Sequence, residues 1–188
     1  RISMAKIPAA GFELFRRSVD ARHKKDIQLV YSFSFETPGP LAPETVKRYG
    51  LRPAAESTLF VRYGTERMSA RPVIAGMGPC GLFAALLLAE HGYRPIVLER
   101  GDCVAARVRA VERFYTSGVL DEDSNIQFGA GGAGTFSDGK LVTRINDPRC
   151  AFVLSALHRF GAPKEILTLA KPHIGTDIPV SYTHLRAH

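Results

Sequence analysis

PVIAGMGPCGLFAALLLAEHGYRPIVLERG, residues 72–101, is the stretch on which the reading of this chain turns. It opens on a short apolar run, residues 72–76, that predicts a strand. Gly76, Gly78 and Gly81 then fit G-x-G-x-x-G. Residues 79–91 predict a long apolar helix closed by Gly92, and residues 94–100 predict a second buried strand that carries Glu99. Strand, glycine turn, helix and strand make one βαβ unit. Each glycine has a physical reason. Gly76 permits a tight turn, Gly78 leaves the backbone open to a pyrophosphate, and Gly81 lets the helix pack close to the strand. The helix N-terminus turns free N–H groups and a partial positive charge toward phosphates. Glu99, eighteen residues past Gly81, is placed to accept hydrogen bonds from ribose hydroxyls. This motif does not separate NAD from FAD.

Further along, residues 104–118 predict a helix with its charges on one face. The run 121–140 holds too much Gly, Ser and Asp for a helix, and KLVTRI, residues 140–145, is expected to begin a strand. Inside this run GTFSDGK, residues 134–140, spells most of a phosphate-loop signature. A working loop needs a buried strand before it, a helix after it, and Ser or Thr following the lysine to hold magnesium. Leu141 follows Lys140, and SNIQFGAGGA is no buried strand. The NTPase reading is therefore rejected. What remains is a backbone that must approach something closely. Gly129, Gly131, Gly132 and Gly134 allow an anion-binding concavity of N–H groups, with Ser137, Asp138, Lys140 and Arg144 as polar neighbours. Asp147-Pro148 predicts a helix start; that helix runs to Phe160 and ends at Gly161, and a shorter one follows over 163–170.

Upstream, residues 12–36 read as a small α+β unit. Ile27, Leu29, Tyr31, Phe33 and Phe35 alternate with polar residues, the period of a half-buried strand. FELF, residues 12–15, is its expected partner, joined by a basic turn that holds Arg16, Arg17, Arg22, His23, Lys24 and Lys25. Residues 37–43 predict a loop, residues 44–49 a helical turn or two stopped by Gly50, and residues 57–64 another short strand. A polar linker runs to Arg71. The expected division is a small α+β domain over 1–70 and a nucleotide-binding domain over 71–177.

With 188 residues, 45% hydrophobic and 23% charged, the chain has enough apolar material for a sizeable core. Its net charge is +7, partly from the basic turn, which could attract phosphates or nucleic acid but reads more simply as a solvated surface. No apolar run reaches the ~18 residues of a membrane span. Cys80, Cys103 and Cys150 form no CxxC pair; this argues against a disulfide framework or a zinc site and fits a reducing cytoplasm. Asp121, Glu122 and Asp123 lack cation-ligand spacing, so no metal site is expected.

RPVIAGMGPCGLFAALLLAEHGYRPIVLERG, SNIQFGAGGAGTFSDGKLVTRI and AKPHIGTD, in this order and spacing, resemble a family of bacterial FAD-dependent oxidoreductases. Its members are described as uncharacterized FAD-dependent dehydrogenases or NAD(P)/FAD-dependent oxidoreductases. FRRSVDARHKKDIQLVYSFSF resembles the family's small N-terminal domain, so the likeness covers residues 12–177. The family pattern has Glu where Ala130 stands and Ala where Cys80 stands. Its members continue past KPHIGTD; here IPVSYTHLRAH, residues 178–188, follows and reads as a non-native tail, with the chain as an N-terminal fragment.

The resemblance implies an α/β chain: a partial Rossmann-like FAD-binding domain with a βαβ core, preceded by the small α+β domain. It implies non-covalent FAD whose adenosine end lies on Gly76, Gly78, Pro79, Gly81 and Glu99. Arg100 and Arg107 would contact phosphate or ribose, and Gly131, Gly132, Gly134 and Thr135 would lie nearer the flavin. The activity implied is a cytoplasmic flavin-dependent oxidoreductase, with NAD(P)H as a candidate reductant and the fragment itself inactive. It carries no substrate over. His173, as a group of a type that titrates near neutrality, and Lys140, as a cation for a reduced flavin, are the catalytic candidates; Asp177 could orient His173, but four residues of glycine-containing loop do not fix that geometry. Two other readings stand beside this one. One is a NAD-binding dehydrogenase using Gly76 to Glu99. The other is an RNA- or anion-binding protein built on the basic turn, with a structural flavin domain; nucleic acid is the less expected partner, because the sequence signals few exposed aromatics for base stacking.

Overall fold

The computed structural model describes residues 7–54, 61–62, 64–66, 68–137, 139–145 and 147–174. They fall into two compact units. One is drawn from Arg1–Leu59, Val142–Arg159 and Pro163–Pro172, the other from Phe60–Leu141, Phe160–Ala162 and His173–His188. The chain is mixed α/β with two small sheets. Asp138, Asp177, the tail 178–188 and most of the strand expected over 57–64 lie outside the described residues.

In the first unit, β1 (Ala10–Asp20) and β2 (Gln28–Glu36) form an antiparallel hairpin. Arg17 faces Tyr31, Leu14 faces Phe33 and Val19 faces Leu29, with register shifts near both Glu13 and Arg16. Both strands outrun the expectation. Arg16 and Arg17 belong to β1 rather than to the turn, because pairing with a long apolar partner outweighs their middling strand propensity. Only Arg22, His23, Lys24 and Lys25 remain in the turn. The other edge of β1 is also used: the Arg17 N–H donates to the Thr168 carbonyl at 2.7 Å, and the Ala170 N–H donates to the Arg17 carbonyl at 2.9 Å. That pairing corrects the helix expected over 163–170, which shrinks to one 3₁₀ turn, Lys164–Leu167. The alternating strand forms, but Leu29, Tyr31 and Phe33 are exposed instead of half-buried.

α1 (Pro43–Tyr49) stops where Gly50 turns left-handed at φ 62°. α4 (Arg149–Arg159) is capped as its sequence predicts. Asp147 Oδ1 accepts the Arg149 N–H at 2.8 Å, and the same carboxylate binds the Arg149 guanidinium. That guanidinium holds the Asp147 carboxyl down at about 2.

The second unit carries β3 (Val73–Ala75), α2 (Pro79–Glu90) and β4 (Ile96–Leu98). β3 and β4 are parallel, Ile74 opposite Val97, and α2 crosses between them and packs on both. Parallel neighbours require such a crossover, so the βαβ reading of residues 72–101 holds at the level of the backbone. Burial does not follow it completely: Val73 and Leu98 are exposed. A parallel sheet is normally covered on both faces. α3 (Val104–Ser117) ends at Gly118, φ 71°, and buries Val104, Arg107, Ala110 and Val111 along one face. The strand expected over 140–145 does not form; Lys140 alone makes a bridge, to His173. No helix among the described residues is long and apolar enough to cross a membrane.

Candidate functional site

Three segments of the second unit converge, and glycine is what lets them. Gly76 leaves β3 at φ 91°, while its N–H donates to the Leu98 carbonyl at 2.7 Å. A Cβ on Gly81 would collide with the Gly76 carbonyl oxygen, so α2 closes onto the strand only because Gly81 has none. These are the backbone roles read from the motif. Pro79 sits at the first turn of α2, where its missing N–H costs nothing.

The second glycine run packs on the first. The Gly131 N–H donates to the Met77 carbonyl at 2.8 Å. A Cβ on Gly132 would come within 2.9 Å of Pro79 Cδ, and one on Gly101 within 2.7 Å of Gly129 Cα. The two clusters, separate in sequence, are therefore one structure.

Glu99 fastens the first turn. Its Oε2 accepts the Met77 N–H at 2.6 Å and its Oε1 accepts the Gly101 N–H at 2.9 Å. Partial burial would raise its pKa. The amides of Gly101, Met77 and Arg100, with the charge of Arg107, outweigh that and hold it below its usual value, so it is an anion at neutral pH. A carboxylate has about four acceptor positions, so about one remains beyond those three amides.

Arg107 organises the second run. It is fully buried, at 0% exposure. Its guanidinium donates to the carbonyls of Asn125 (2.8 Å), Ile126 (3.0 Å), Ala130 (2.7 Å) and Gly132 (2.9 Å). Longer contacts reach the Gly129 carbonyl at 3.3 Å and Thr135 Oγ1 at 3.4 Å. The Phe136 ring lies under it at 4.9 Å. Burial pushes its pKa down and the Glu99 charge opposes that; an arginine stays protonated regardless. Arg107 was expected at a phosphate or ribose. The structure gives it to the loop instead, with Thr135 buried beside it in the 3₁₀ turn Ala133–Phe136.

Arg100 is exposed and paired with Asp123 at 2.6 Å. Lys140 and His173, the two catalytic candidates, stand opposite each other across the antiparallel bridge, and the Ile174 N–H donates to the Gly139 carbonyl at 2.9 Å beside them. Directly opposed residues share a face, so their side chains leave the backbone on one side. Sequence reasoning missed Asn125 and Ser124. Asn125 Oδ1 accepts the N–H groups of Gln127 and Phe128, and buried Ser124 Oγ accepts the Asp102 N–H at 2.7 Å. The signal was there: Asp, Ser and Asn in a row form side-chain-to-backbone turns.

The glycines sort by what surrounds them. Gly81, Gly101, Gly129 and Gly132 face protein atoms, whereas a Cβ on Gly76, Gly78 or Gly134 would meet nothing within 4 Å. Among the described residues, no acceptor is bound by the N–H groups of Gly78, Cys80 and Gly81 at the start of α2. What fold and site define is a mixed α/β unit whose strand–glycine–helix turn offers free N–H donors, with a carboxylate beside it.

A protein of Clostridium beijerinckii, described as an uncharacterized protein, is 45% identical to this chain over 181 residues. The match takes in 95% of this chain and 34% of the relative, so the chain spans about a third of that protein's length. No known family model matches the chain.

Proposed function

We propose that this chain carries the nucleotide-holding part of a flavin-dependent oxidoreductase, with FAD as its cofactor. The observation that supports this most is the joining of the two glycine runs through Gly131 and Met77. A solitary G-x-G-x-x-G serves many ligands. A second glycine run laid against it, open at Gly134, extends the candidate site beyond one mononucleotide, which suits a dinucleotide.

The residues present fit such a group. The N–H groups of Gly78, Cys80 and Gly81 would hold its pyrophosphate at the start of α2, where the helix dipole favours an anion. Glu99, ionised and with about one acceptor position to spare, would take a ribose hydroxyl. Gly134 leaves room further along. Bound FAD supplies the electron transfer itself; the chain supplies orientation and electrostatics. NAD(P)H is the proposed reductant.

The test is the absorption spectrum of the protein purified at its natural length, with chromatography of any cofactor released on denaturation. FAD is the expected result. Released NAD instead, or a colourless protein that takes up no added FAD, overturns the proposal. Gly78→Ala is the variant to run beside it.

A further inference from the structure

We propose that the β1–β2 hairpin is a platform for single-stranded nucleic acid. This lies outside the flavin reading and rests on different residues. The period of two puts Leu29, Tyr31, Phe33 and Phe35 on one face of β2, and the register adds Arg17, opposite Tyr31, and Leu14, opposite Phe33. Tyr31, Phe33 and Phe35 share that face with the aliphatic Leu14, Leu29 and, opposite Leu29, Val19. Tyr31 and Phe33 are 47% and 54% exposed, with near-parallel rings 6.5 Å apart, and Phe12 meets Phe35 at 5.6 Å.

A cavity of about 450 Å³ elsewhere in the chain is lined by Phe114, Leu120 and Ile126, but nothing marks its occupant. The hairpin differs because its charge does. Beside Tyr31, Phe33 and Phe35 lies a groove of about 340 Å³ walled by Arg48, Tyr49 and Leu51, with the Arg48 guanidinium 5.6 Å from the Tyr49 ring centre. Lys24 and Lys25 stand exposed at the turn. Arg22 contributes less, since Asp20 holds it at 2.6 Å.

Exposed aromatic rings on a strand, with cations at the margins, are what single strands bind: bases stack on the rings and phosphates meet the cations. Duplexes hide their base faces, so a single strand is the form whose bases can reach the rings. The sequence suggested the cations and argued against stacking; the exposure of Tyr31 and Phe33 supplies the missing half.

The experiment is fluorescence anisotropy of labelled oligouridylate and oligothymidylate with the natural-length protein. Saturable binding is expected, with log affinity falling against log salt at a slope of about −3 if Arg17, Lys24, Lys25 and Arg48 each meet a phosphate. The two oligomers separate an RNA preference from a DNA one. Tyr31→Ala with Phe33→Ala is expected to weaken binding tenfold or more, at roughly unchanged slope. Lys24→Gln with Lys25→Gln is expected to flatten the slope by about 1.4. Should the aromatic variant fail to fold, photocrosslinking of thiouridine-substituted RNA to the wild type, mapped by mass spectrometry, is expected on β2. No binding at low salt, binding untouched by the aromatic variant, or crosslinks confined elsewhere would overturn the proposal. So would dimerisation lost in the aromatic variant without any nucleic-acid binding, which would assign the face to a second copy.

Discussion

Replacing Arg107 with methionine keeps the length of the side chain and removes every donor. Six acceptors lose a partner. They are not equally dependent on it. The Gly129 carbonyl also accepts the Gly132 N–H at 3.0 Å, and the Gly132 carbonyl also accepts the Thr135 N–H at 3.3 Å. The Ala130 carbonyl keeps only a long contact with Thr135 Oγ1, at 3.5 Å. Among the described residues, the Asn125 and Ile126 carbonyls have no other donor. Two to three stranded carbonyls, at about 1–3 kcal/mol each, set the gross loss. Relief from burying a guanidinium offsets part of it, leaving about 3 kcal/mol. Arg107→Lys keeps the charge but replaces a planar fork by a point, and is expected to recover less than half. Arg109→Met, one turn face away and exposed, is the control, expected within about 0.5 kcal/mol of wild type. The assay is urea unfolding of the natural-length protein together with amide hydrogen exchange resolved to residues 125–135. A loss of 3 kcal/mol speeds exchange there by about a hundredfold where opening is global or shared. If Arg107→Met shifts neither the midpoint nor the exchange of that loop, the guanidinium does not organise it, and the account of the second glycine run fails.

Gly81→Ala and Gly78→Ala separate packing from binding. The first drives a Cβ into the Gly76 carbonyl and is expected to cost about 3 kcal/mol in thermal or urea unfolding. The second adds a methyl where nothing lies within 4 Å, at a backbone φ of −75° that alanine accepts; stability is expected to hold within about 0.5 kcal/mol while bound FAD falls. For pH, Asp20 and Asp147 have folded-state values lowered to about 2 by their hydrogen bonds to Arg22 and Arg149. The stabilisation is therefore present above the ordinary carboxylate range and lost as pH falls toward about 2. Carbon-13 titration of the two carboxyls is expected to show these midpoints, and Arg149→Gln is expected to raise Asp147 alone part of the way to the normal range, because the backbone N–H of residue 149 still donates to it.

How far the sequence reached depended on whether a feature was local. The turn at Gly76, the close packing at Gly81, the stop at Gly50 and the cap at Asp147 are fixed by one or two residues and a backbone angle, and each was legible. Arg16 and Arg17 were not, because their place in β1 is decided by Tyr31 and Ser32 across the hairpin. Residues 163–170 look helical by composition, yet the free edge of β1 at Arg17 takes Thr168 and Ala170 into pairing. Arg107 was misassigned for the same reason. A basic residue at the start of a helix near a glycine motif suggests a phosphate, and only the folded loop reveals four carbonyls within 3.0 Å of its guanidinium.

The two glycine runs now take different parts. GTFSDGK resembles a phosphate loop in spelling, but a phosphate loop works by placing its glycines at the N-terminus of a helix. Directly after Gly139, residues 140–145 make a single bridge through Lys140 to His173 and no helix, so no dipole gathers there. The glycine turn that does lead into a helix is the one before α2, where the Met77 carbonyl receives the Gly131 N–H from the second run. Gly129 and Gly132 are small because Arg107 and Pro79 press on them. The second run is thus glycine-rich mainly to fit under the first, and the proposed phosphate site falls to the N–H groups of Gly78, Cys80 and Gly81.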